Sequence, residues 1–396
     1  MQEILDKIDI TEFISLRKNI HQEPELSFEE HLTIKKIANV LDKYNINYEY
    51  LTETGIVAHI QKGNNQKSIA LRADIDALPM QEKNKFAHAS KHENKMHACG
   101  HDGHTAILLY SAIYLKNYLD FNGNIYLIFQ PAEEHGAGAK RMIDSGLFEK
   151  YNIDCVFAMH NWPGIDEGSF GLKSGAIMAS SNEFKIEING KGGHAAMPHQ
   201  TNDPIMCSIE IMQALQNILT RNISPLEQVV LSITQMQAGT KATNIIPNNC
   251  WFGGTIRTFN LDILDIIEER MHEIVNNIAK SHRCEANFKL IRSYPPTINS
   301  HNEYELVKKV LEKNFSAEKV NSNIEPTMGA EDFSFMLQHK KGCYFFIGNG
   351  DGTHRSQGHG LGPCQLHNQS YDFNDNLIPI GSKVWIELVK EYLSND

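Results

Sequence analysis

The chain has 396 residues, 41% of them hydrophobic and 21% charged, and its formal net charge at pH 7 is −11. This length predicts two domains, and the acidic balance without a cluster of Lys and Arg argues against nucleic acid and anionic membrane as partners. The longest nearly apolar run, residues 106–115, is about half of a membrane span. The first ten residues lack the pattern of a signal peptide and the seven cysteines have no regular spacing, so we expect a cytoplasmic protein with free thiols.

The first part of the chain alternates helices with strands. Residues 12–44 predict two helices, with Ser27 and Glu30 as a capping box before the second. Further helices are predicted at 105–119 and 139–148, and buried strands at 56–60, 68–72, 124–129 and 154–159. This alternation predicts an α/β fold with a largely parallel sheet.

Polar side chains follow these strands. Asp74 and Asp76 come after the second strand, Glu133 and Glu134 after the third, and His160 ends the fourth. Because open α/β sheets place their sites at the C-terminal ends of parallel strands, we expect these side chains to line a site.

The pattern changes near residue 178. The strands at 183–188, 229–235 and 255–259 alternate polar and apolar residues, as strands with one wet face do, and two amphipathic helices lie at 204–221 and 261–281. Their order predicts an inserted, ferredoxin-like α+β domain at 179–292. Residues 1–178 and 293–396 would form the first domain, which closes with predicted helices at 302–314 and 375–393, a strand at 343–347 and a long mobile loop at 349–366.

The window HACGHDGH at 97–104 is the strongest sign of chemistry. It contains the metal-capable side chains of His97, Cys99, His101 and His104, and the carboxylate of Asp102. A pair of nearby histidines means little among 19, but this density predicts a metal site. A catalytic site needs further His or carboxylate ligands and an open position for water.

Four remote residues are candidates to complete the window: Glu133, Glu134, His160 and His367. They suit a two-metal hydrolase, in which ions about 3.5 to 4 Å apart hold and acidify a water. A carboxylate outside the metal shell then serves as general base. The adjacent Glu133 and Glu134 fit this division between base and ligand.

At these residues the chain resembles the aminoacylase and carboxypeptidase family of dinuclear metal hydrolases. Within it, the chain is similar to the amidohydrolase subgroup of hippurate hydrolases, N-acetyl-diaminopimelate deacetylases and auxin-conjugate hydrolases. The resemblance covers nearly the whole chain through seven ordered motifs. They are HQEPELSFEE at 21, LRADIDALP at 71, HACGHDGHT at 97, QPAEE at 130, GKGGHAAMPH at 190, TNIIP at 243 and MGAEDFSF at 328.

The resemblance implies a phosphorylase/hydrolase-like catalytic domain with a mixed, mostly parallel sheet. It implies two divalent metal ions, with zinc, manganese, cobalt and nickel all open, and Glu133 as the general base. The implied metal ligands are Cys99, His101, Glu134, His160 and His367.

The resemblance also makes the inserted domain a lid that forms homo-oligomers, dimers or larger. In this lid, His194 would stabilise the oxyanion, in its own or a neighbouring subunit's site. Asn244 and Arg257 would hold the substrate carboxylate or the oxyanion.

Five further residues are candidates to support the ligands from a second layer. They are Asp76, His97, Asp102, His104 and Glu331. Each also has a plainer interpretation, such as packing, capping a helix or placing an acid in a helix's first turn.

The implied activity is hydrolysis of the amide of an N-acyl amino acid, of hippurate or N-acetyl type, to a carboxylic acid and a free amino acid. A metallo-dipeptidase or carboxypeptidase of the same family is the nearest alternative. Two other classes stay open: a structural metal protein without catalysis, and a thiol hydrolase with Cys99 as its nucleophile. The sequence leaves the acyl group undetermined.

Overall fold

The computed structural model describes residues 7–355 and 357–394. Its α-helices, α1 to α10 in chain order, are Ile10–Gln22, His31–Lys43, His101–Asn117, Gly138–Asp144, Leu147–Lys150, Pro204–Asn217, Leu261–Ser281, His301–Phe315, Phe333–His339 and Leu377–Tyr392. Its strands, β1 to β16, are Asn47–Thr52, Gly55–Lys62, Ser68–Asp74, Gly123–Gln130, Cys155–Pro163, Phe170–Gly171, Gly175–Met178, Ser181–Asn189, Gly193–His194, Val229–Ala238, Ile245–Ile246, Asn249–Thr258, Glu285–Tyr294, Thr297–Asn299, Val320–Asn321 and Lys341–Gly350.

The largest sheet has the order β1-β2-β4-β3-β5-β16-β6-β15. Its centre is parallel, because β4, β3, β5 and β16 all run the same way, while β1 and β2 add an antiparallel edge. Every residue of β3 and β4 is buried, as expected for parallel strands covered on both faces. The predicted α/β class with a mixed, mostly parallel sheet is confirmed.

The parallel centre brings several strand ends to one edge of the sheet. Asp74, the last residue of β3, pairs in register with Gln130, the last residue of β4. The neighbouring β5 continues through His160 to Pro163, so His160 lies inside the strand and not at its predicted end.

Helix α3 begins at His101, four residues before the predicted start at 105. Its N-cap is Gly100, with a φ of 90° that L side chains rarely adopt. A Cβ on Gly100 would also lie 2.3 Å from Oδ1 of Asn161. The helix is buried from His101 to Leu115, so the metal-capable window leads directly into the core.

The predicted capping box before α2 is wrong. The N-cap of α2 is Glu30, and its side chain makes no capping hydrogen bond. Instead, Oε1 of Glu30 accepts hydrogen bonds from the backbone N–H groups of Phe28 at 3.0 Å and Ala132 at 2.9 Å. Ser27 donates to Oδ2 of Asp76 at 2.9 Å. These side chains therefore reach the loops at the sheet edge.

The chain divides into two compact units. One comprises the chain up to Ile177, then Ile298–Glu325 and the chain from Asp332 onward, and the other comprises Met178–Thr297 and Pro326–Glu331. The second unit contains an antiparallel sheet of order β10-β12-β8-β13. Helices α6 and α7 share a hydrophobic core with that sheet. The order βαββαβ and this strand arrangement are ferredoxin-like, which confirms the predicted class of the inserted part.

Within residues 7–355 and 357–394, none of the helices has both the length and the apolar character needed to cross a bilayer.

Candidate active site

The turn after β4 presents the two adjacent glutamates. Ala132 has a φ of 53°, a left-handed conformation that costs a residue with a Cβ about 1–3 kcal/mol unless its surroundings impose it. Glu30 accepts the Ala132 N–H, and Gly138 donates to the Ala132 carbonyl at 3.0 Å. The next carboxylate, Glu133, is buried. Tertiary contacts therefore fix the backbone that carries Glu133 and Glu134.

Glu30 itself is in an unusual environment. Burial, followed by the negative charge of Asp76, raises the pKa of Glu30 to about 7. Asp76 in turn accepts the Glu134 N–H at 3.0 Å. Two buried carboxyl groups thus hold successive parts of the same turn.

The structure brings the five predicted metal ligands together in the first unit. Donor atoms of Cys99, His101 and Glu134 all lie within 4.8 Å of one another. His367 Nε2 is 3.3 Å from Glu134 Oε1, and His160 Nε2 is 3.4 Å from the Cys99 sulfur. The set joins the start of α3, the end of β4, β5 and a loop far along the chain.

His101 and His160 each use one ring nitrogen in a hydrogen bond to the backbone, which leaves the other ring nitrogen for this set. Nδ1 of His101 contacts the Asp76 carbonyl oxygen at 2.9 Å, and Nδ1 of His160 contacts the Asn161 carbonyl oxygen at 2.7 Å. In the neutral form of each ring, which is the form that binds a metal, Nδ1 therefore carries the proton and Nε2 keeps a lone pair. Nε2 of His101 is buried and forms no hydrogen bond with a described residue. A buried, unsatisfied lone pair is the state expected of a metal ligand.

The electrostatics also fit a cation. Burial, with the negative charges of Glu134 and Glu133, raises the pKa of the Cys99 thiol well above its usual range. Burial alone would lower the pKa of His101, but Asp74 and Asp76 outweigh it and raise it to about 10. A divalent cation would supply the missing positive charge and displace these protons.

A second metal-capable set lies beside the first. Donor atoms of Asp74, His101, His104 and His160 also lie within 4.8 Å of one another. His104, however, uses both ring nitrogens: Nδ1 bonds Asp74 Oδ1 at 2.6 Å, and Nε2 contacts both the backbone N–H of Asn161 at 3.0 Å and its Oδ1 at 2.8 Å. His104 therefore has no lone pair left for a metal, which fits its predicted supporting position.

Asp74 is also fully occupied. Its Oδ2 accepts from Nη1 of Arg72 at 2.6 Å, and Arg72 bonds Oδ1 of Asp332 at 3.0 Å. The sequence placed Asp74 among the side chains expected to line the site but gave it no role as a ligand or a supporting group. The missed signal was its position in the RADID segment, where Arg72 and Asp74 point to the same side of the strand.

Two residues of the window, His97 and Asp102, face away from the predicted ligands and lie near His21. Asp102 neither caps α3 nor bonds a predicted ligand. Its Oδ2 bonds His21 at 2.9 Å and Arg17 at 3.3 Å. His97 is buried near His21, with ring centroids 6.2 Å apart, and neither of its ring nitrogens bonds a described residue. Sequence reasoning missed Arg17 and His21; His21 is the first residue of the HQEPELSFEE motif, whereas Arg17 lies before it and belongs to none of the seven motifs.

In the second unit, His194 and Asn244 lie on one small ladder. His194 of β9 pairs with Ile245 of β11, and the Ala195 N–H donates to the Asn244 carbonyl at 3.0 Å. Nδ1 of the exposed His194 accepts the Ala196 N–H at 3.1 Å, so the ring carries a proton on Nε2, for which no hydrogen bond to a described residue is found.

Two other predicted site residues also belong to the second unit. The guanidinium of Arg257, on β12, donates to Thr255 Oγ1 at 3.2 Å. Among the described contacts, it forms no hydrogen bond with His194 or Asn244. Glu331 is buried, and its supporting role stays a prediction.

Comparisons with known proteins identify the family of this chain. A family model described as Peptidase family M20/M25/M40 matches residues 70–391. Hippurate hydrolase from Campylobacter jejuni subsp. jejuni is 39% identical over 383 residues, which cover 96% of this chain and 97% of that protein. N-acetyl-L-cysteine deacetylase from Bacillus subtilis is 40% identical over 345 residues, which cover 87% of this chain and 81% of that protein.

A solved structure is also similar over nearly its full length. The crystal structure of a dinuclear metal-binding peptidase of family M20 from B. subtilis has a TM-score of 0.83 and 31% identity, and the match covers 98% of this chain and 99% of that one. The predicted family is confirmed: the chain belongs to peptidase family M20/M25/M40.

Proposed function

We propose that the chain is a metal-dependent amidohydrolase that cleaves N-acyl amino acids to a carboxylic acid and a free amino acid. The observation that carries this proposal is a buried carboxylate, Glu133, beside the donor set of Cys99, His101 and Glu134. Two relatives named for hydrolysing hippurate and deacetylating N-acetyl-L-cysteine support the substrate class, since both compounds are N-acyl amino acids.

The proposed metal ligands are Cys99, His101, Glu134, His160 and His367. Bound divalent cations would polarise the acyl oxygen and lower the pKa of water at the site. A mixed thiolate, imidazole and carboxylate set suits zinc, manganese, cobalt or nickel, and two ions are expected by analogy with the B. subtilis peptidase.

Glu133 is the proposed general base. Its carboxylate takes a proton from the attacking water and later gives it to the departing nitrogen as the carbon–nitrogen bond breaks. The tertiary contacts of the Ala132 turn support this role, because a general base must be held within hydrogen-bond reach of its water.

The second unit supplies the proposed polar contacts to the substrate. His194, with its proton on Nε2, would donate to the developing oxyanion, while Asn244 and Arg257 would bind the substrate carboxylate.

We further propose a cytoplasmic homo-oligomer assembled through this unit. Strand β10 supports assembly because it lies at an edge of its sheet and carries the exposed Met236. Light scattering after size exclusion measures the oligomeric state.

The decisive assay uses the metal-reconstituted protein against hippurate, N-acetyl amino acids, N-acetyl-diaminopimelate and small dipeptides. The proposal expects turnover of N-acyl amino acids that a chelator abolishes and metal restores, with the fold retained by circular dichroism. Turnover of dipeptides alone would favour the carboxypeptidase alternative.

Two further outcomes separate the other classes. Unfolding on chelation, with no hydrolysis of any substrate, would indicate a structural metal site. Alkylation tests the thiol hydrolase: a metal-bound Cys99 is shielded until chelator is added, whereas a nucleophilic Cys99 reacts in the active enzyme. The raised pKa of Cys99 favours the first result.

A further inference from the structure

A cleft of about 820 Å³ opens beside His367 within the first unit. One wall is the segment that carries Lys83 and Lys85, and the other is the loop of Gly358–Gly362 with His359. Since His367 is also a proposed metal ligand, the cleft borders the proposed metal site.

The extended backbone at 82–85 turns both lysines into this cleft. Glu82 and Asn84 are buried, and Nδ2 of Asn84 donates to Glu82 Oε1 at 2.7 Å. Because side chains alternate along an extended segment, Lys83 and Lys85 both face outward on the same side, and both are exposed.

Backbone hydrogen bonds hold this segment between the neighbouring loops. The Lys83 N–H donates to the Gln369 carbonyl at 2.8 Å, and the Lys85 N–H donates to the Gly358 carbonyl at 2.6 Å. Asn84 Oδ1 accepts the Gly360 N–H at 2.8 Å. The two ammonium groups therefore project from a fixed backbone.

The charge of the cleft is unusual for this acidic chain. No Asp or Glu lines it, and neither Lys83 nor Lys85 forms an ion pair with a described residue. In the cavity of about 570 Å³, Lys140 pairs with Asp144 at 2.7 Å. In the cavity of about 740 Å³, Lys150 pairs with Glu49 at 2.6 Å. In those two cavities the lysine is already neutralised, whereas the cleft at His367 has two unneutralised ammonium groups.

We propose that this cleft selects N-acyl amino acids that carry a second carboxylate, which Lys83 and Lys85 bind while the scissile amide lies at the metal site. The inference rests on the proposed function and names its substrate class. The second carboxylate has two sources, a dicarboxylic acyl group or an acidic amino acid, and the chemistry of recognition is the same for both.

The test uses two matched pairs of substrates. N-succinyl-L-alanine against N-butanoyl-L-alanine places the extra carboxylate on the acyl side, and N-acetyl-L-glutamate against N-acetyl-L-glutamine places it on the amino acid side. In one pair we expect KM to be about two- to fivefold lower for the diacid, because an ion pair to an exposed lysine contributes about this factor. The difference should shrink as salt is raised. The pair that shows it identifies the source.

The double variant Lys83→Met and Lys85→Met should lose this difference, and Lys35→Met, an exposed lysine on α2, is the matched control and should keep it. Equal KM values within both pairs for the unmodified enzyme would overturn the inference, and so would a difference that survives the double variant.

A binding measurement separates this inference from the proposed function. Titration calorimetry with metal-loaded Glu133→Gln compares binding of the same pairs without turnover. If the unmodified enzyme hydrolyses none of the four compounds, the proposed function fails for them. The calorimetric preference, and its loss in the Lys83 and Lys85 double variant, still decides the inference.

Discussion

Two overlapping sets of side chains contain the residue types of a metal site, and their donor atoms are in two different states. In the first, Nε2 of His101 is buried without a hydrogen bond, close to Cys99 and Glu134. In the second, His104 and Asp74 bond each other at 2.6 Å and have further partners. Residue type and spacing therefore select candidates, and a donor atom without a hydrogen-bond partner distinguishes the proposed ligand His101 from His104 and Asp74.

The largest effects are expected for two histidine variants that test this comparison. His101→Ala should lose bound metal and at least about a thousandfold in kcat, because it removes a donor of the site. His104→Gln should lose roughly 10- to 100-fold in metal affinity, the effect typical of outer partners. Metal analysis after dialysis and steady-state kinetics measure both. Equal loss of metal in the two variants would contradict the distinction.

A second test separates binding of metal from proton transfer. Glu133→Gln should keep its metal and fold but lose about 10²- to 10⁴-fold in kcat, since an amide does not accept the water proton. Glu134→Gln is the matched neighbour and should instead weaken metal binding. Near-normal turnover by Glu133→Gln would remove Glu133 from the mechanism.

A third test concerns the turn that carries both glutamates. Glu30→Leu removes the acceptor of the Ala132 N–H, so the left-handed turn loses its support and kcat should fall roughly 10- to 100-fold with little change in KM. Glu30→Gln keeps an acceptor oxygen at that position and should restore most of the turnover. Loss of stability without a change in kcat in Glu30→Leu would show a purely structural role.

The features that were predicted correctly from the sequence depend on hydrophobic periodicity and on motif residues. The strands β3, β4 and β5, the ferredoxin-like order of the second unit and the family were predicted and are confirmed, because hydrophobic patterns and ordered motifs are local. The metal-dependent amidohydrolase class is supported by the family and its named relatives.

The errors came from long-range contacts. Ser27 and Glu30 look like a capping box, yet they bond Asp76 and the Ala132 backbone, which lie far along the chain. The early start of α3 depends on the left-handed Gly100. Local sequence patterns do not predict partners that lie so far apart in the chain.

A buried charged cluster of Arg17, His21, Glu82 and Asp102 extends this comparison and gives the test with the smallest expected effect. Burial alone would lower the pKa of His21, but its hydrogen bonds to Asp102 and Glu82 and their negative charges raise it to about 10. An unfolded histidine has a pKa of about 6.5. The protonated His21 therefore stabilises the fold fully below about pH 6.5, and this contribution is lost as pH rises toward 10.

Urea unfolding at pH 7 and pH 9.5 measures this loss. The unmodified protein should have a lower free energy of unfolding at pH 9.5. His21→Gln should be less stable at pH 7 and change less between the two pH values, because its side chain does not titrate. His59→Gln is the control, since the half-buried His59 bonds Asn124 at 2.9 Å and no carboxylate, and it should keep the unmodified slope. An unchanged slope in His21→Gln would mean that His21 is neutral in the fold, and the buried Asp102 would then depend on Arg17 alone for its counter-charge.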